Sequence, residues 1–195
     1  MMGEKYVFID RDGVINRDGE GRTEHGYITE WEDFEFLPGV LDALRELTEA
    51  GYENVVISNQ KCVGRGLLSS DGLEALTGKM LEAVLEAGGR IRRVYYCPHL
   101  DEDDCDCRKP KAGLFKKAKE ELGISSFEGR FFIGDSQRDM QAARRAGLGR
   151  ILVLSGKSSR RDAERWEYEP DHICRDLLEA ARYIIRKDRE EQDAR

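Results

Sequence analysis

Short apolar runs alternating with stretches of helical period constrain this chain more than any other feature. Strand-like runs fall at Tyr6–Ile9, Asn54–Ile57, Arg93–Tyr96, Arg130–Ile133 and Ile151–Leu154, with a weaker sixth at His172-Ile173. Helical patterns separate them. One starts at Pro38-Gly39, carries Val40, Leu41, Leu44 and Leu47, and stops at Gly51. A second opens at Ser70-Asp71 and ends at Gly88-Gly89. Others span Lys111–Leu122, Ser136–Ala146 and Asp176–Ile185, the last followed by a charged tail, Arg186–Arg195, expected to fray. Such alternation predicts an α/β, three-layer, Rossmann-like parallel sheet with helices on both faces, since parallel strands need crossover connections. No repeat or linker interrupts it, so residues 1–195 read as one domain.

In sheets of this kind ligands collect at the carboxyl ends of the strands, and the polar motifs of this chain all follow strands. The first run leads into Asp10-Arg11-Asp12-Gly13. The second leads into Ser58-Asn59-Gln60, the third into a cysteine loop and Arg108-Lys109-Pro110, and the fourth into Gly134-Asp135 with Asp139 one helical turn later. Taken singly, each reads as an ordinary turn, cap or solvated charge. In this order they suit phosphoryl transfer. An aspartate at position 10 can attack phosphorus, splitting one difficult step into two, while Asp12 handles the proton. Mg²⁺ relieves the repulsion between carboxylate and phosphate; Asp10, Asp135 and the Asp12 backbone carbonyl offer it oxygens, and Asp139 supports them. Ser58 offers a hydrogen bond, and Lys109 a positive charge, to the transferring group.

The third motif contains Cys97-Pro98-His99 and Cys105-Asp106-Cys107. Three thiolates and an imidazole form a closed tetrahedral set suited to structural zinc. Free thiols in a polar loop are the plainer reading, but buried apolar cysteines do not sit among acids. The chain has 5 cysteines, an odd number that argues against a disulfide framework. Cys174 reads as core, and His172, in a late strand, as structural.

The formal net charge of −7 disfavours nucleic acid as a partner. No apolar run approaches the roughly 20 residues needed to span a bilayer, and the start, Met1–Lys5, lacks a signal peptide's apolar region. A cytoplasmic monomer acting on a small phosphorylated metabolite is expected.

These motifs resemble the haloacid dehalogenase (HAD) superfamily, in the branch of histidinol phosphatases and heptose-bisphosphate phosphatases. The residues that carry the resemblance are Phe8–Asn16, Ser58-Asn59-Gln60, Gly64-Arg65-Gly66, Tyr95–His99, Cys105–Pro110 and Gly134-Asp135. The resemblance implies Asp10 as nucleophile and Asp12 as general acid, then base. It implies Mg²⁺ on Asp10, Asp12 and Asp135, and zinc on Cys97, His99, Cys105 and Cys107. The stretches Gly13–Asn16, His25-Gly26-Tyr27, Phe34-Glu35-Phe36 and Leu37–Val40 favour the heptose-bisphosphate members; the cysteine loop is equally like the histidinol phosphatases. By the same resemblance His25, Gly26, Tyr27 and Arg108 contact substrate, with Arg108 on a second phosphate, and Asn59, Gln60 and Arg65 join them.

Two departures fall at the substrate end. Lys61-Cys62 replaces the usual Ser-Gly, which makes Lys61 either a contact to a second anion or an exposed lysine. Residues Gly19–Glu24 are extra. There is no room for a large cap domain. The resulting expectation is a Mg²⁺-dependent phosphatase acting through an aspartyl-phosphate, most simply on the 7-phosphate of a heptose 1,7-bisphosphate. Histidinol phosphate or another small phosphometabolite is the alternative, and a non-catalytic zinc-stabilised interaction module is a remote one.

Overall fold

A computed structural model describes residues 4–194; Met1–Gly3 and Arg195 of the expected unit lie outside the described residues. Six strands, β1 (Lys5–Ile9), β2 (Tyr52–Asn59), β3 (Ile91–Cys97), β4 (Phe131–Gly134), β5 (Gly149–Val153) and β6 (His172–Cys174), form one sheet in the order β3-β2-β1-β4-β5-β6. Every pairing is parallel. The order reverses direction between β1 and β4, where the connections leave to opposite sides and a crevice opens at the strand ends.

The helices are α1 (Val40–Glu49), α2 (Lys61–Gly64), α3 (Ser70–Glu86), α4 (Gly113–Glu121), α5 (Gln137–Ala146), α6 (Arg160–Ala163) and α7 (Leu177–Asp193). They cover both faces because the strands are apolar on both faces. In β1, Val7 and Ile9 join a core built with α1, α3 and α7, while Tyr6 and Phe8 join another built with α4 and α5. Phe8 is fully buried and meets Phe115 and Phe127 edge-on, at centroid distances of 5.8 and 5.4 Å. Between β1 and α1 the regular structure is a single 3-10 turn, Trp31–Asp33, and between β2 and α3 only the short α2. No large cap covers the strand ends among the described residues.

The structure departs from the sequence reading at the ends of elements and in two short helices, α2 and α6, that the apolar period did not signal. The charged tail is the main correction. It continues α7 as helix to Asp193 rather than fraying. Lys187–Glu191 and Arg186–Glu190 pair at helical spacing (3.4 and 3.9 Å), each worth a few tenths of a kcal/mol. Asp188 also reaches Lys5 at the start of β1, 2.6 Å away. That tertiary tie is invisible in a run of alternating charges.

His172 is structural, as read from the sequence: its ring stacks on Tyr183 at 3.8 Å. Cys174 is buried in the core.

Candidate active site

Asp10 leaves the end of β1 and its backbone N–H donates to the Ile133 carbonyl of β4, 2.9 Å away. The crevice of the sheet is thereby laced directly to the first carboxylate. Asp10 Oδ1 accepts from the Arg11 backbone N–H (2.7 Å), and Oδ2 pairs with Lys109 Nζ (2.7 Å). The same ammonium reaches Asp139 Oδ1 (2.7 Å) and donates to the Ile57 carbonyl (3.1 Å). Lys109 is 2% exposed. A buried ammonium is tolerable only when paired. Burial alone pushes its pKa down, but Asp10 and Asp139 overcome this and hold it above the usual lysine range.

The carboxylates respond in opposite ways. Burial pushes Asp10 up to about 7 against the pull of Lys109, with the Asp139 charge adding to the rise. Asp135 is also raised, by burial and then by Asp139 and Asp10. Burial would raise Asp139 too, but Lys109 and the Ser136 hydrogen bonds outweigh it and hold its carboxyl low. Its Oδ2 accepts from the Ser136 backbone N–H (3.1 Å) and hydroxyl (2.5 Å). One oxygen from each of Asp10, Asp135 and Asp139 lies within 4.8 Å of the others. Three carboxylates, two of them pushed toward the neutral form, make a place that a divalent cation would relieve.

Two glycines shape that place. A Cβ on Gly13 would stand 2.3 Å from Asp135 Oδ2, and a Cβ on Gly156 2.1 Å from the same atom. Gly13 also has φ +81°, the left-handed region that favours glycine. The Lys157 backbone N–H donates to Asp135 Oδ2 at 2.8 Å, and Ser155 Oγ donates to the Gly13 carbonyl at 2.9 Å. The turn after β5 thus clamps Asp135. Sequence reasoning missed this turn, because a backbone amide leaves no side-chain signature.

Asp12 lies apart from the three-carboxylate group. Arg11 Nη2 donates to Asp12 Oδ1 (2.8 Å), Asn16 Nδ2 to the same oxygen (2.9 Å), and Gln60 Nε2 to Oδ2 (2.6 Å). Burial raises its pKa, but the Arg11 charge and these hydrogen bonds win and hold the carboxyl below the usual range. Gln60 also donates to Ser58 Oγ at 3.0 Å. Asn59 exchanges two hydrogen bonds with the Lys109 backbone, at 3.0 and 3.1 Å. Asn59 and Gln60, expected at substrate, spend these hydrogen bonds positioning the reactive groups, while still lining the cavity.

That cavity, about 480 Å³, opens over Asp10, Asp12, Ser58, Lys109, Asp135 and Asp139. Its volume suits a small molecule. Gly26, Tyr27, Lys61 and Arg108 line it as the sequence suggested, and so do Asp18, Arg138 and Lys157, which were not anticipated. His25 is exposed and outside the lining, because the chain turns at Gly26 (φ +73°). Arg65 is outside it as well; its guanidinium lies 5.6 Å from the centre of the Tyr27 ring. Lys157 Nζ pairs with Asp18 (2.9 Å), tying the loop with the extra residues to the turn that holds Asp135. Cys62, beside Lys61, is fully buried beneath Gln60.

Cys97, His99, Cys105 and Cys107 converge behind Arg108. Their sulfur–sulfur separations are 3.1, 3.4 and 3.6 Å, and His99 Nδ1 lies 3.2 Å from the Cys107 sulfur. A tetrahedral ion with Zn–S bonds of ~2.3 Å needs sulfur–sulfur edges of about 3.8 Å. The donor set fits after a small expansion.

The HAD-hydrolase-like family profile matches residues 106–180. A D-glycero-β-D-manno-heptose-1,7-bisphosphate 7-phosphatase of Pseudomonas putida is 38% identical over 181 residues, covering 93% of this chain and 99% of that protein. One from Haemophilus ducreyi is 36% identical, covering 94% and 100%. A crystal structure of D,D-heptose 1,7-bisphosphate phosphatase from B. bronchiseptica, complexed with magnesium and phosphate, superposes with a TM-score of 0.84. It shares 32% identity and covers 94% of this chain and 99% of its own. Shared sequence over nearly the full length of each protein, on a common sheet, places this chain in the HAD-like phosphatases, as a member of the heptose-bisphosphate 7-phosphatase family.

Proposed function

We propose that this phosphatase removes the 7-phosphate of D-glycero-β-D-manno-heptose 1,7-bisphosphate, with Asp10 as nucleophile. The observation that carries the reading is Asp10 itself: a buried carboxylate gripped by Lys109 beneath a cavity whose rim bears Lys61, Arg108, Arg138 and Lys157. A cavity so ringed suits a substrate with two phosphates.

Asp10 attacks phosphorus, the bond from phosphorus to the sugar oxygen breaks, and that oxygen takes a proton from Asp12. Asp12 then accepts a proton from the water that cleaves the aspartyl-phosphate, releasing inorganic phosphate and restoring Asp10. Arg11 keeps Asp12 ionised in the free protein; an arriving phosphate dianion raises its proton affinity, and Asp12 takes up a proton from solvent before the leaving oxygen claims it. Ser58 and Lys109 donate to the phosphoryl oxygens. Asp10, Asp135 and the Asp12 carbonyl would hold Mg²⁺, which would supply positive charge to the phosphoryl group. Asp139 orients Lys109 and does not react.

Cys97, His99, Cys105 and Cys107 would hold zinc, which would fix the loop that delivers Arg108 and Lys109. The continuous sheet supports reading the described residues, 4–194, as one domain. Among the described residues no helix is long and apolar enough to cross a membrane. The sugar-bisphosphate named for the relatives supports a role in carbohydrate metabolism.

The deciding experiment measures kcat/KM with Mg²⁺ on both anomers of heptose 1,7-bisphosphate beside histidinol phosphate. A preference for the bisphosphate of at least a hundredfold is expected, about the 2.7 kcal/mol of one well-made charged contact. Equal or greater activity on histidinol phosphate would sink the assignment.

A further inference from the structure

Of the acidic residues in the cysteine loop, Asp101 is the one that reaches the cavity's arginines. Asp101 lies two residues after His99 and faces the substrate cavity's basic rim. Its carboxylate accepts from Arg108 Nε (2.9 Å) and Nη2 (3.3 Å), and its Oδ1 also accepts from Arg138 Nη1 (3.2 Å). Arg108 is 7% exposed and is fixed from the other side by the His99 carbonyl, at 3.2 Å. A buried guanidinium anchored in this way needs an anion on its open side. The forked contact that Asp101 supplies is the one a phosphate would make, two parallel N–H donors on two oxygens.

The two partners differ in freedom. Arg108 is held by the loop, whereas the side chain of Asp101 is about half exposed (52%). It accepts no backbone hydrogen bond, the loop turn being closed instead by Asp103 Oδ2 on the Leu100 N–H. Asp101 can therefore rotate into solvent without unfolding the loop, and Arg108 cannot follow it. Arg138, on α5, is itself half exposed and bonds Asp101; both arginines line the cavity, so both guanidinium groups are open to another anion once Asp101 leaves. Lys61 lines the same cavity.

We propose that Asp101 is a specificity-determining residue: in the free protein its carboxylate occupies the place on Arg108 and Arg138 that the substrate's distal phosphate takes, and it swings out when that phosphate arrives. The inference rests on the bisphosphate reading above and adds to it a competing anion inside the protein and Arg138 as a second arm. A substrate with a neutral tail leaves Asp101 in place and gains nothing from the pair. A substrate with a distal phosphate gains the pair, less the strength of the contacts it displaces. The carboxylate thus lowers affinity for the bisphosphate while keeping the arginines preorganised and screened from smaller anions.

The test compares the wild type with Asp101→Asn and Arg138→Gln on heptose 1,7-bisphosphate and on p-nitrophenyl phosphate, which has no distal anion. Circular dichroism and zinc content check the fold. Asp101→Asn should lower the ratio of KM for the bisphosphate to KM for p-nitrophenyl phosphate about three- to fivefold, the scale of a half-exposed ion pair. Arg138→Gln should raise that ratio by a similar factor. A ratio that rises in Asp101→Asn overturns the proposal, because Asp101 then positions Arg108 for the substrate. An unchanged ratio overturns it too, leaving an ordinary surface ion pair. If the wild type does not hydrolyse heptose bisphosphate, the substrate reading fails separately. Asp101 is then tested by fructose 1,6-bisphosphate as a competitor of p-nitrophenyl phosphate turnover. A Ki that falls in Asp101→Asn supports the displaced-anion reading, and an unchanged or higher Ki refutes it.

Discussion

The carboxylate site and the cysteine loop lie on either side of Lys109 and solve opposite problems. In the first, like charges are forced together. Asp10, Asp135 and Asp139 share one buried place, and a single ammonium offsets only part of their repulsion. In the second, three sulfurs and an imidazole crowd together, with Cys97 buried in the core and Cys105 and Cys107 packed against it. The first gathers mutually repelling carboxylates, two of them pushed toward the neutral form. The second is closed, with every donor turned inward. The first set would be relieved by a hard divalent cation, the second closed by a tetrahedral soft one. Lys109 links the two, two residues past Cys107, with its charge in one site and its backbone set by the other.

The sharpest way to break the comparison is Asp10→Asn. Loss of the nucleophile should lower kcat by about 10⁴-fold or more while circular dichroism stays native. Thermal stability near pH 8 should be equal or higher, since the change removes a buried and repelled charge. Undiminished turnover would remove the reactive half of the contrast.

Gly156→Ala comes next. The new methyl must displace the Asp135 carboxylate, and a misplacement of about 1 Å costs on the order of 100-fold in kcat/KM. The Mg²⁺ concentration for half-activity should rise with it. An unchanged Mg²⁺ dependence would show that the turn after β5 does not set the metal carboxylate.

Cys105→Ser probes the closed half. Protein purified without added zinc should contain about one zinc per chain, and the variant should lose it. Its unfolding free energy should drop by several kcal/mol, with kcat reduced but not abolished. Full activity and stability without zinc would separate the loop from Lys109.

The smallest effect concerns pH. Folded Asp10 titrates near 7 against 3.8 in the free residue. Between these values the folded, metal-free protein holds a proton that the unfolded chain has released. Its contribution is therefore stabilising at low pH and lost as pH rises through 7. Mg²⁺ favours the ionised form and reverses the loss. The rise in Tm on adding Mg²⁺ should grow by a few degrees between pH 5 and pH 8. A rise independent of pH would place the cation elsewhere.

The order of the elements and the placement of the candidate carboxylates at strand ends were legible because they depend on local pattern. An apolar run that ends in Asp10, and a turn that ends in Asp135, place their carboxylates at strand ends whatever the rest of the chain does. The cysteine and histidine donors are legible for the same reason, since few other roles need those residues together. What stayed hidden depends on contacts between distant segments. Lys157 matters to Asp135 through a main-chain N–H, which every residue but proline carries. Gln60 and Asn59 look like substrate contacts in a motif, yet their partners are Asp12 and Lys109. The helical tail is legible only once Asp188 is seen to meet Lys5.

That last contact has a consequence for the chain as a path. Lys5 opens β1 at the end of the sheet opposite the cavity, and Asp188 meets it there, so the stretches near both ends of the described chain run side by side. A short linker could join them, and new ends could be opened in the exposed turn around Ser125-Ser126, remote from the loops that follow β1, β2 and β4. A circularly permuted protein of that kind would keep all the carboxylates, the cationic rim and the cysteine loop in their present order in space.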